Sequence, residues 1–227
     1  MIFLFRSFID FIKRDERWLL HTVLFLVLCY VVLSVLVVMM STTSLDTGIT
    51  LELQEDHSPG LDRLMNIISW FASIPGALFT MGLAALGFLW LKKKTEAVFI
   101  LAPVLVVPIV SVIKRIVDRA RPTADLVRVV RDFNHESFPS GHVVFYTVLF
   151  GTLTYLMYRH KDIPNVVRGL VSLLSITLIL SVPFSRMYLG AHWFTDVMAG
   201  FFLGCILLIG LILWYDRIKA KRGISWY

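Results

Sequence analysis

Three short segments of the sequence carry polar and ionisable residues that could act together on an anion. They are KRIVDRARP at 114–122, FPSGH at 138–142 and SRMYLGAHWFTD at 185–196. Their cations, histidines, carboxylate and Ser-Gly turn are Lys114, Arg121, Arg186, His142, His192, Asp196, Ser140 and Gly141. Clustered cations favour a phosphate, because guanidinium groups bind its oxygens through paired hydrogen bonds. The segments therefore predict a site for phosphate chemistry.

Lys114 and Arg121 are seven residues apart, which is two helical turns. They share one helix face if the helix continues this far, and Pro122 then ends it. Two structural alternatives stay open. The pair could extend towards lipid headgroups, or Asp118 between them could form a ladder of ion pairs.

Pro139, Ser140, Gly141 and His142 form a turn that leads directly into an apolar stretch. The first N–H groups of a helix have no internal partners, so they can bind an anion. The Ser140 hydroxyl and the Gly141 N–H are therefore predicted to contact phosphate oxygens. The alternative is an ordinary helix N-cap formed by Ser140.

His192 and Asp196 are four residues apart, so on a helix they would lie on one face. The carboxylate would then hold one imidazole nitrogen as a donor and leave the other as a nucleophile. A surface hydrogen bond without catalytic meaning is the alternative. Arg186 precedes His192 by six residues and suits binding of phosphate oxygens.

The rest of the chain indicates an integral membrane protein. Hydrophobic residues make up 57%, charged residues 17%, and the mean hydropathy is +0.77, whereas soluble domains average about 45–50% and about 25%. Six uncharged stretches approach the roughly 20 residues that a membrane helix needs. They are residues 19–40, 64–91, 97–113, 142–158, 169–185 and 197–215. The predicted fold is an all-α bundle of six transmembrane helices with short loops, in a single domain over 1–227.

The positions of Lys and Arg predict the orientation. With six spans, fourteen of these residues fall on the side of both termini and eight on the other. The termini, including segments 1–18 and 216–227, are therefore predicted to be cytoplasmic, and the three polar segments exterior. This topology accounts for the net charge of +6 and removes the support for nucleic acid as a partner. Residues 41–63 are interpreted as an exterior loop, with one interfacial helix at most and no chemistry.

The order Lys114-x6-Arg121-Pro122, Pro139-Ser140-Gly141-His142 and Ser185-Arg186-x5-His192-x3-Asp196 resembles the three-part signature of the type 2 phosphatidic acid phosphatase (PAP2) superfamily. The six-span layout is also similar to its bacterial membrane branch, which includes phosphatidylglycerophosphatases and undecaprenyl diphosphatases. The resemblance implies an enzyme, a lipid phosphatase that needs no metal and no cofactor. It implies a multi-pass protein of the cell membrane with a periplasmic or extracellular active site.

The resemblance also implies the role of each residue. His192 would attack phosphorus, Asp196 would orient His192, and His142 would protonate the leaving group. Phosphate oxygens would be bound by Lys114, Arg121, Arg186, Ser140 and Gly141. Supporting roles would fall to Pro122, Pro139 and Ser185. Four further arginines match no signature position and are interpreted as residues of a solvated loop: Arg115, Arg119, Arg128 and Arg131.

The substrate implied by the resemblance is a lipid phosphate whose tail stays in the bilayer. Undecaprenyl diphosphate, phosphatidylglycerophosphate and phosphatidic acid are the main candidates. A lipid phosphotransferase that uses the same phosphohistidine is one alternative. A transporter of anionic lipids is another, although it would need ionisable groups deep in several spans. The sequence does not determine the exact lipid or the oligomeric state.

Overall fold

The structure is a computed structural model that describes residues 16–40, 42–130 and 136–221 of the 227-residue chain. Within these ranges all regular structure is helical and no β-strand occurs, which confirms the all-α prediction. The helices are α1 Glu16–Met39, α2 Ser44–Gln54, α3 Pro59–Trp70, α4 Ile74–Trp90, α5 Lys94–Phe99, α6 Val106–Val117, α7 Gly141–Arg159, α8 Asn165–Tyr188 and α9 Phe194–Lys221. Most of the predicted cytoplasmic segment 1–18 and the end of the predicted tail 216–227 lie outside the described residues. Helix α9 continues to Lys221, beyond the predicted end of the last span at residue 215.

Four helical segments are long and apolar enough to cross a membrane: Arg17–Met39, Lys94–Val117, Asn165–Tyr188 and Phe194–Lys221. Helices α3 and α4 meet at an angle of 55° and provide a fifth span if they are counted together. The protein is therefore a multi-pass membrane protein. The number of six spans stays a prediction, and the difference lies in stretch 142–158, which corresponds to α7.

Helix α7 lies at the centre of the helix bundle. Every residue from Val143 to Met157 is buried, and α7 packs most extensively against α8 and α9. Its Thr147 and Thr154 hydroxyls donate to backbone carbonyls one turn earlier, at 2.8 Å. Because protein rather than lipid surrounds α7, it tolerates these polar side chains and needs a less apolar sequence than a lipid-facing helix.

The span Lys94–Val117 is interrupted where its prolines lie. A 3₁₀ turn at Ala102–Leu105 contains Pro103, and Pro108 falls in the first turn of α6. Proline lacks an N–H donor, so it fits these positions without losing a hydrogen bond within the helix. The prolines thus divide the span without ending it.

The polar stretch 41–63 is more ordered than the predicted exterior loop. It contains α2 and the start of α3 instead of one interfacial helix at most. Thr43 caps α2 through a reciprocal capping box with Asp46, and Ser58 caps α3 by accepting from the Leu61 N–H at 3.2 Å. These caps satisfy N–H groups in the first turn of each helix. Both helices pack against α8, and α2 also packs against α9.

Another part of the bundle is held by a buried cluster around Glu96. Glu96, which is 2% exposed, accepts from the Tyr215 hydroxyl and lies against the Lys219 ammonium, each at 2.6 Å. His160 Nε2 lies 3.2 Å from the same carboxylate. A buried carboxylate is costly unless it is paired, so this cluster joins α5, α9 and the end of α7.

Candidate active site

The first two polar segments line one cavity of about 480 Å³ between α4, α6 and the start of α7. The third segment contacts Arg121 of this lining through the Ala191 carbonyl and His192. The polar wall of the cavity contains Lys114, Arg121, His142 and the Gly141 backbone. Ser111, Glu136 and Arg115 also line it, and Arg115 lies in the last turn of α6 and not in the predicted loop. The other lining residues are apolar and include Ile74, Ala77, Leu78, Met81, Val106, Val107, Val110 and Phe145. A cavity with cations at one end and membrane helices at the other fits an anion attached to an apolar chain.

His192 lies just behind Arg121, in the turn between α8 and α9. Its side chain is buried, and its backbone N–H donates to the Arg186 carbonyl at 3.3 Å. Nε2 is 3.4 Å from Arg121 Nη1, and Nδ1 is 3.6 Å from Asp196 Oδ2. The predicted shared helix face is wrong, because α9 begins at Phe194, after His192. The turn nevertheless brings the imidazole and the carboxylate together.

The Asp196 carboxylate is held by donors on both of its oxygens. Oδ2 accepts from the Ser137 hydroxyl at 2.5 Å and from the Trp193 backbone N–H at 2.9 Å. Oδ1 accepts from the Arg119 guanidinium. Ser137 Oγ also lies 3.4 Å from His192 Nδ1, so it links the two side chains. Ser137 immediately precedes the FPSGH segment, and the sequence analysis missed it.

Ser140 occupies the N-cap position of α7, but its side chain makes no capping hydrogen bond. Its hydroxyl is fully buried and has no hydrogen-bond partner among the described residues. The Ser140 backbone N–H donates to the Asp196 carbonyl at 3.0 Å, and α9 approaches this turn closely at Gly200, where a Cβ would lie 2.9 Å from the Ser140 carbonyl oxygen. A buried hydroxyl that caps nothing argues against the ordinary N-cap and is suited to a ligand oxygen.

Lys114 and Arg121 reach the cavity by a different route from the predicted one. Helix α6 ends at Val117, and Asp118 takes a left-handed conformation with φ 46° and ψ 45°. Arg121 is therefore not on the helix face of Lys114, and Asp118 is not part of a helical ladder between them. Instead, the Lys114 ammonium donates to the Glu136 and Ser137 carbonyls, and Arg121 Nη1 donates to the Ala191 carbonyl at 2.5 Å.

Arg186 and Ser185 are joined through Ser69 of α3. Arg186 Nη1 donates to Ser69 Oγ at 3.0 Å, Ser69 Oγ lies 2.6 Å from Ser185 Oγ, and Ser185 donates to the Met65 carbonyl at 2.6 Å. Each hydroxyl donates one hydrogen, so the chain runs from Arg186 through Ser69 to Ser185. Ser185 thus takes part in a hydrogen-bonded chain with Arg186, and its supporting role stays a prediction. Pro122 and Pro139 are both buried in the turns that carry the site.

Two charged residues that the sequence analysis left outside the site are buried beside it. Arg119, interpreted as part of a solvated loop, is 3% exposed, and Asp46 of α2 is fully buried. The pattern Thr43-x-x-Asp46 could have indicated a capping box, but nothing in the sequence indicates that Asp46 pairs with Arg119. Arg128 also departs from the solvated interpretation, because it pairs with both carboxylate oxygens of Asp62 at 2.9 and 2.5 Å. Arg131 lies outside the described residues.

The surroundings of His192 disfavour its charged form. Burial and the nearby cations Arg121, Lys114 and Arg186 hold the pKa of His192 well below its ordinary value of 6.5. We therefore expect the ring to stay neutral at pH 6, which can be measured from the ¹³C and ¹⁵N shifts of labelled histidine in detergent micelles. Protonation of His192 between pH 6 and 7 would contradict this arrangement.

The lowered pKa of His192 also makes the free energy of unfolding depend on pH. The unfolded chain binds a proton at this imidazole below about pH 6.5, whereas the folded chain does so only at lower pH. The contribution of His192 to the free energy of unfolding is therefore present above pH 6.5 and is lost as the pH falls.

Within the described ranges, no group of three or more His, Cys, Asp or Glu side chains is placed to hold a metal ion.

Comparison with known proteins identifies the family of the chain. The family model of the PAP2 superfamily matches residues 95–220, which contain every predicted site residue. The chain therefore belongs to the PAP2 superfamily. Phosphatidylglycerophosphatase B of Bacillus subtilis (strain 168) is 33% identical over 112 residues, which are 49% of this chain and 53% of that protein. The match thus spans about half the length of this curated relative.

Two solved structures have a similar fold. One is the crystal structure of the first transmembrane PAP2 type phosphatidylglycerolphosphate phosphatase from Bacillus subtilis, with a TM-score of 0.78 and 23% identity. That match covers 88% of this chain and 98% of the other. The second is LpxE of Aquifex aeolicus, with a TM-score of 0.57 and 16% identity, over 77% of this chain and 98% of the other.

Proposed function

We propose that this protein is a lipid phosphatase that works without a metal ion. It hydrolyses a phosphomonoester or diphosphate on a membrane lipid through a phosphohistidine at His192. One observation carries the proposal. Lys114, Arg121 and His142 line a cavity whose wall along α4 is apolar, and the Nε2 atom of His192 lies beside Arg121. The catalytic assignments are those that the signature implies, and the site geometry supports them.

In the first step, the lone pair of His192 Nε2 forms a bond to phosphorus while the bond from phosphorus to the lipid oxygen breaks. Nε2 is the reacting atom because Nδ1 faces Asp196 and Ser137. The electron pair of the broken bond goes to the leaving oxygen, and His142 supplies it with a proton. The products of this step are the phosphohistidine and a lipid alcohol, or a lipid monophosphate if the substrate is a diphosphate.

In the second step, a water molecule attacks phosphorus and gives a proton to His142 while the P–N bond breaks. This releases inorganic phosphate and restores both histidines. Negative charge on the non-bridging oxygens is stabilised in both steps by Lys114, Arg121 and Arg186, with Ser140 and the Gly141 N–H as neutral donors. Preorganised donors of this kind account for a large share of catalysis in many enzymes.

The cavity restricts the substrate to a phosphate with an apolar tail. The phosphate would lie against Lys114 and Arg121, and the tail would run along the apolar residues of α4 and α6. Undecaprenyl diphosphate, phosphatidylglycerophosphate and phosphatidic acid all have this form. The 33% sequence identity to phosphatidylglycerophosphatase B over 112 residues favours phosphatidylglycerophosphate as the first substrate to test.

We also propose that the site faces the exterior of the cell membrane and that both termini are cytoplasmic, within a single domain over 1–227. The support is the distribution of Lys and Arg, with fourteen on the side of the termini and eight on the side of the site. A cysteine introduced at Ser58, beside the site, should react with a membrane-impermeant maleimide in intact cells. Labelling only after the cells are opened would reverse the orientation.

The direct test is phosphate release by the purified protein in detergent with excess EDTA. We expect release from phosphatidylglycerophosphate or undecaprenyl diphosphate at an unchanged rate with and without the chelator, because lysine and arginine supply the positive charge. The ratio of kcat/KM for the two lipids ranks them as substrates. Loss of activity in EDTA, restored by a divalent cation, would contradict metal independence.

The same assay separates the proposed hydrolase from its alternatives. A phosphotransferase would form the phosphohistidine and pass the phosphoryl group to its acceptor, so it would release little inorganic phosphate and form a phosphorylated product when the acceptor is added. A transporter would bind the lipid and leave its phosphate intact. Folded protein that releases no phosphate from any of the three candidate lipids would overturn the proposed function.

A further inference from the structure

A buried charge network lies directly behind the candidate site. The Arg119 guanidinium is placed between two carboxylates that are both fully buried, Asp196 and Asp46. Nη1 donates to Asp196 Oδ1, and Nη2 donates to Asp46 Oδ2 at 2.7 Å. The two branches of one guanidinium thus hold the carboxylate that faces His192 and a second carboxylate from α2.

Thr195 closes the network. Its backbone N–H and its hydroxyl each lie 2.9 Å from Asp46 Oδ1, and Arg119 Nη1 donates to the same hydroxyl at 2.7 Å. Asp46 also receives the Thr43 backbone N–H in the capping box of α2. Helix α2 is therefore connected to the first turn of α9, which carries Asp196. Asp46 lies outside residues 95–220, the part of the chain that the family model matches.

We propose that Arg119 and Asp46 are positioning residues that hold Asp196 in the orientation that His192 requires. Both act through Asp196 and not on the substrate. The inference rests on the proposed function, since it concerns the same reaction. With Arg119 on Oδ1, the other oxygen, Oδ2, is left to face Ser137 and His192 Nδ1.

The charges of the network explain why two carboxylates and one guanidinium are needed. A lone buried Asp196 would carry a large desolvation penalty, and Arg119 offsets it. If Arg119 paired with Asp196 alone, the strong ion pair would weaken the hydrogen bond that the Asp196 carboxylate accepts from His192. Asp46 shares the guanidinium and so limits this effect, which leaves Oδ2 of Asp196 available to stabilise the imidazole when it bonds to phosphorus.

At low pH, kcat/KM should fall as the His192 imidazole is protonated, which gives the pH profile an acidic limb. Substitution of the two positioning residues should move this limb in opposite directions. Asp46→Asn removes a negative charge and should shift the limb to lower pH by about 0.5 unit. Arg119→Gln removes a positive charge and should shift it to higher pH by a similar amount. Both should lower kcat about tenfold or more and change KM little, as loss of residues that orient a reacting group does. Arg119→Lys should return the limb towards its wild-type position because the charge is restored.

Several other charged groups also affect the pH at which this acidic limb lies. His192 is faced by cations and a second histidine from the surrounding elements, and by the network itself: Lys114, Arg121, Arg186, His142, Asp196, Arg119 and Asp46. The first four stay unchanged in every variant of this test. Any difference between variants therefore reports the network.

Asp62→Asn is the matched control. It breaks the pair between Asp62 and Arg128, which also joins an N-terminal helix to the 118–130 segment but does not contact Asp196. We expect its kcat and pH profile to stay close to wild type. Profiles of Asp46→Asn and Arg119→Gln that both coincide with wild type would overturn the positioning role, even if both proteins were less stable. If one of these two variants does not fold, the other decides alone, and Thr195→Val, which keeps all charges, should retain the wild-type limb.

Failure of this inference is distinguishable from failure of the proposed function. If the wild-type protein releases no phosphate, the proposed function fails. If it does release phosphate and neither variant moves the acidic limb, the function stands and only the positioning role is rejected.

Discussion

Replacement of His192 by alanine is expected to lower kcat/KM for lipid phosphate hydrolysis by about 10⁴-fold or more, because the atom that bonds to phosphorus is removed. The protein should still fold, since the tertiary contact of the His192 backbone, its N–H bonded to the Arg186 carbonyl, does not need the side chain. Phosphate release and the thermal unfolding midpoint of the same detergent preparation measure the two effects.

His57→Ala is the matched control for this substitution. His57 is exposed, lies in the turn between α2 and α3, and bonds through Nδ1 to the Gln54 carbonyl at 3.2 Å. Its removal should leave kcat/KM near the wild-type value. Wild-type protein quenched during turnover with ³²P-labelled lipid should carry an alkali-stable, acid-labile phosphoryl group that His192→Ala lacks. Normal turnover by His192→Ala would refute the proposed nucleophile.

The second large effect is expected for His142→Gln, and it should depend on the leaving group. A lipid alkoxide needs a proton as it departs, so kcat/KM for phosphatidic acid should fall by about 10²–10⁴-fold. An activated aryl phosphate such as p-nitrophenyl phosphate releases a stable anion that needs no proton. Its kcat/KM should fall by less than about tenfold.

The comparison of two substrates in one variant is its own control for folding. Because kcat/KM reports only the steps up to release of the leaving group, a slower hydrolysis of the phosphohistidine does not affect it. Equal losses on the alkyl and the aryl substrate would show that His142 binds phosphate or maintains structure, and would remove it as the general acid.

Most of the architecture follows from local features of the sequence. Long uncharged stretches become membrane helices because no other structure satisfies the backbone in lipid, and the segments with Lys114, His142 and His192 lie at their ends. Hydropathy describes α7 least well, since its neighbours are protein helices. The position of α7 inside the bundle depends on the helices that pack around it and not on its own residues alone.

The geometry within the site depended on turns that spacing does not predict. Lys114 with Arg121, and His192 with Asp196, were expected to share helix faces. In each case a helix boundary falls between them, at Val117 and at Phe194. The residues still converge because the chain folds back at these boundaries, so the spacing identified the right partners for the wrong geometric reason.

The sequence by itself determined the helical class and the membrane setting, and it predicted the residues proposed to carry phosphate chemistry. These depend on residue type and on order along the chain. Only the tertiary structure decided that Arg119 and Ser137 hold Asp196. It also decided that Asp46, which lies 150 residues before Asp196, pairs with the same Arg119. Such buried pairs form between segments far apart along the chain, because each charge needs a partner once packing removes it from water.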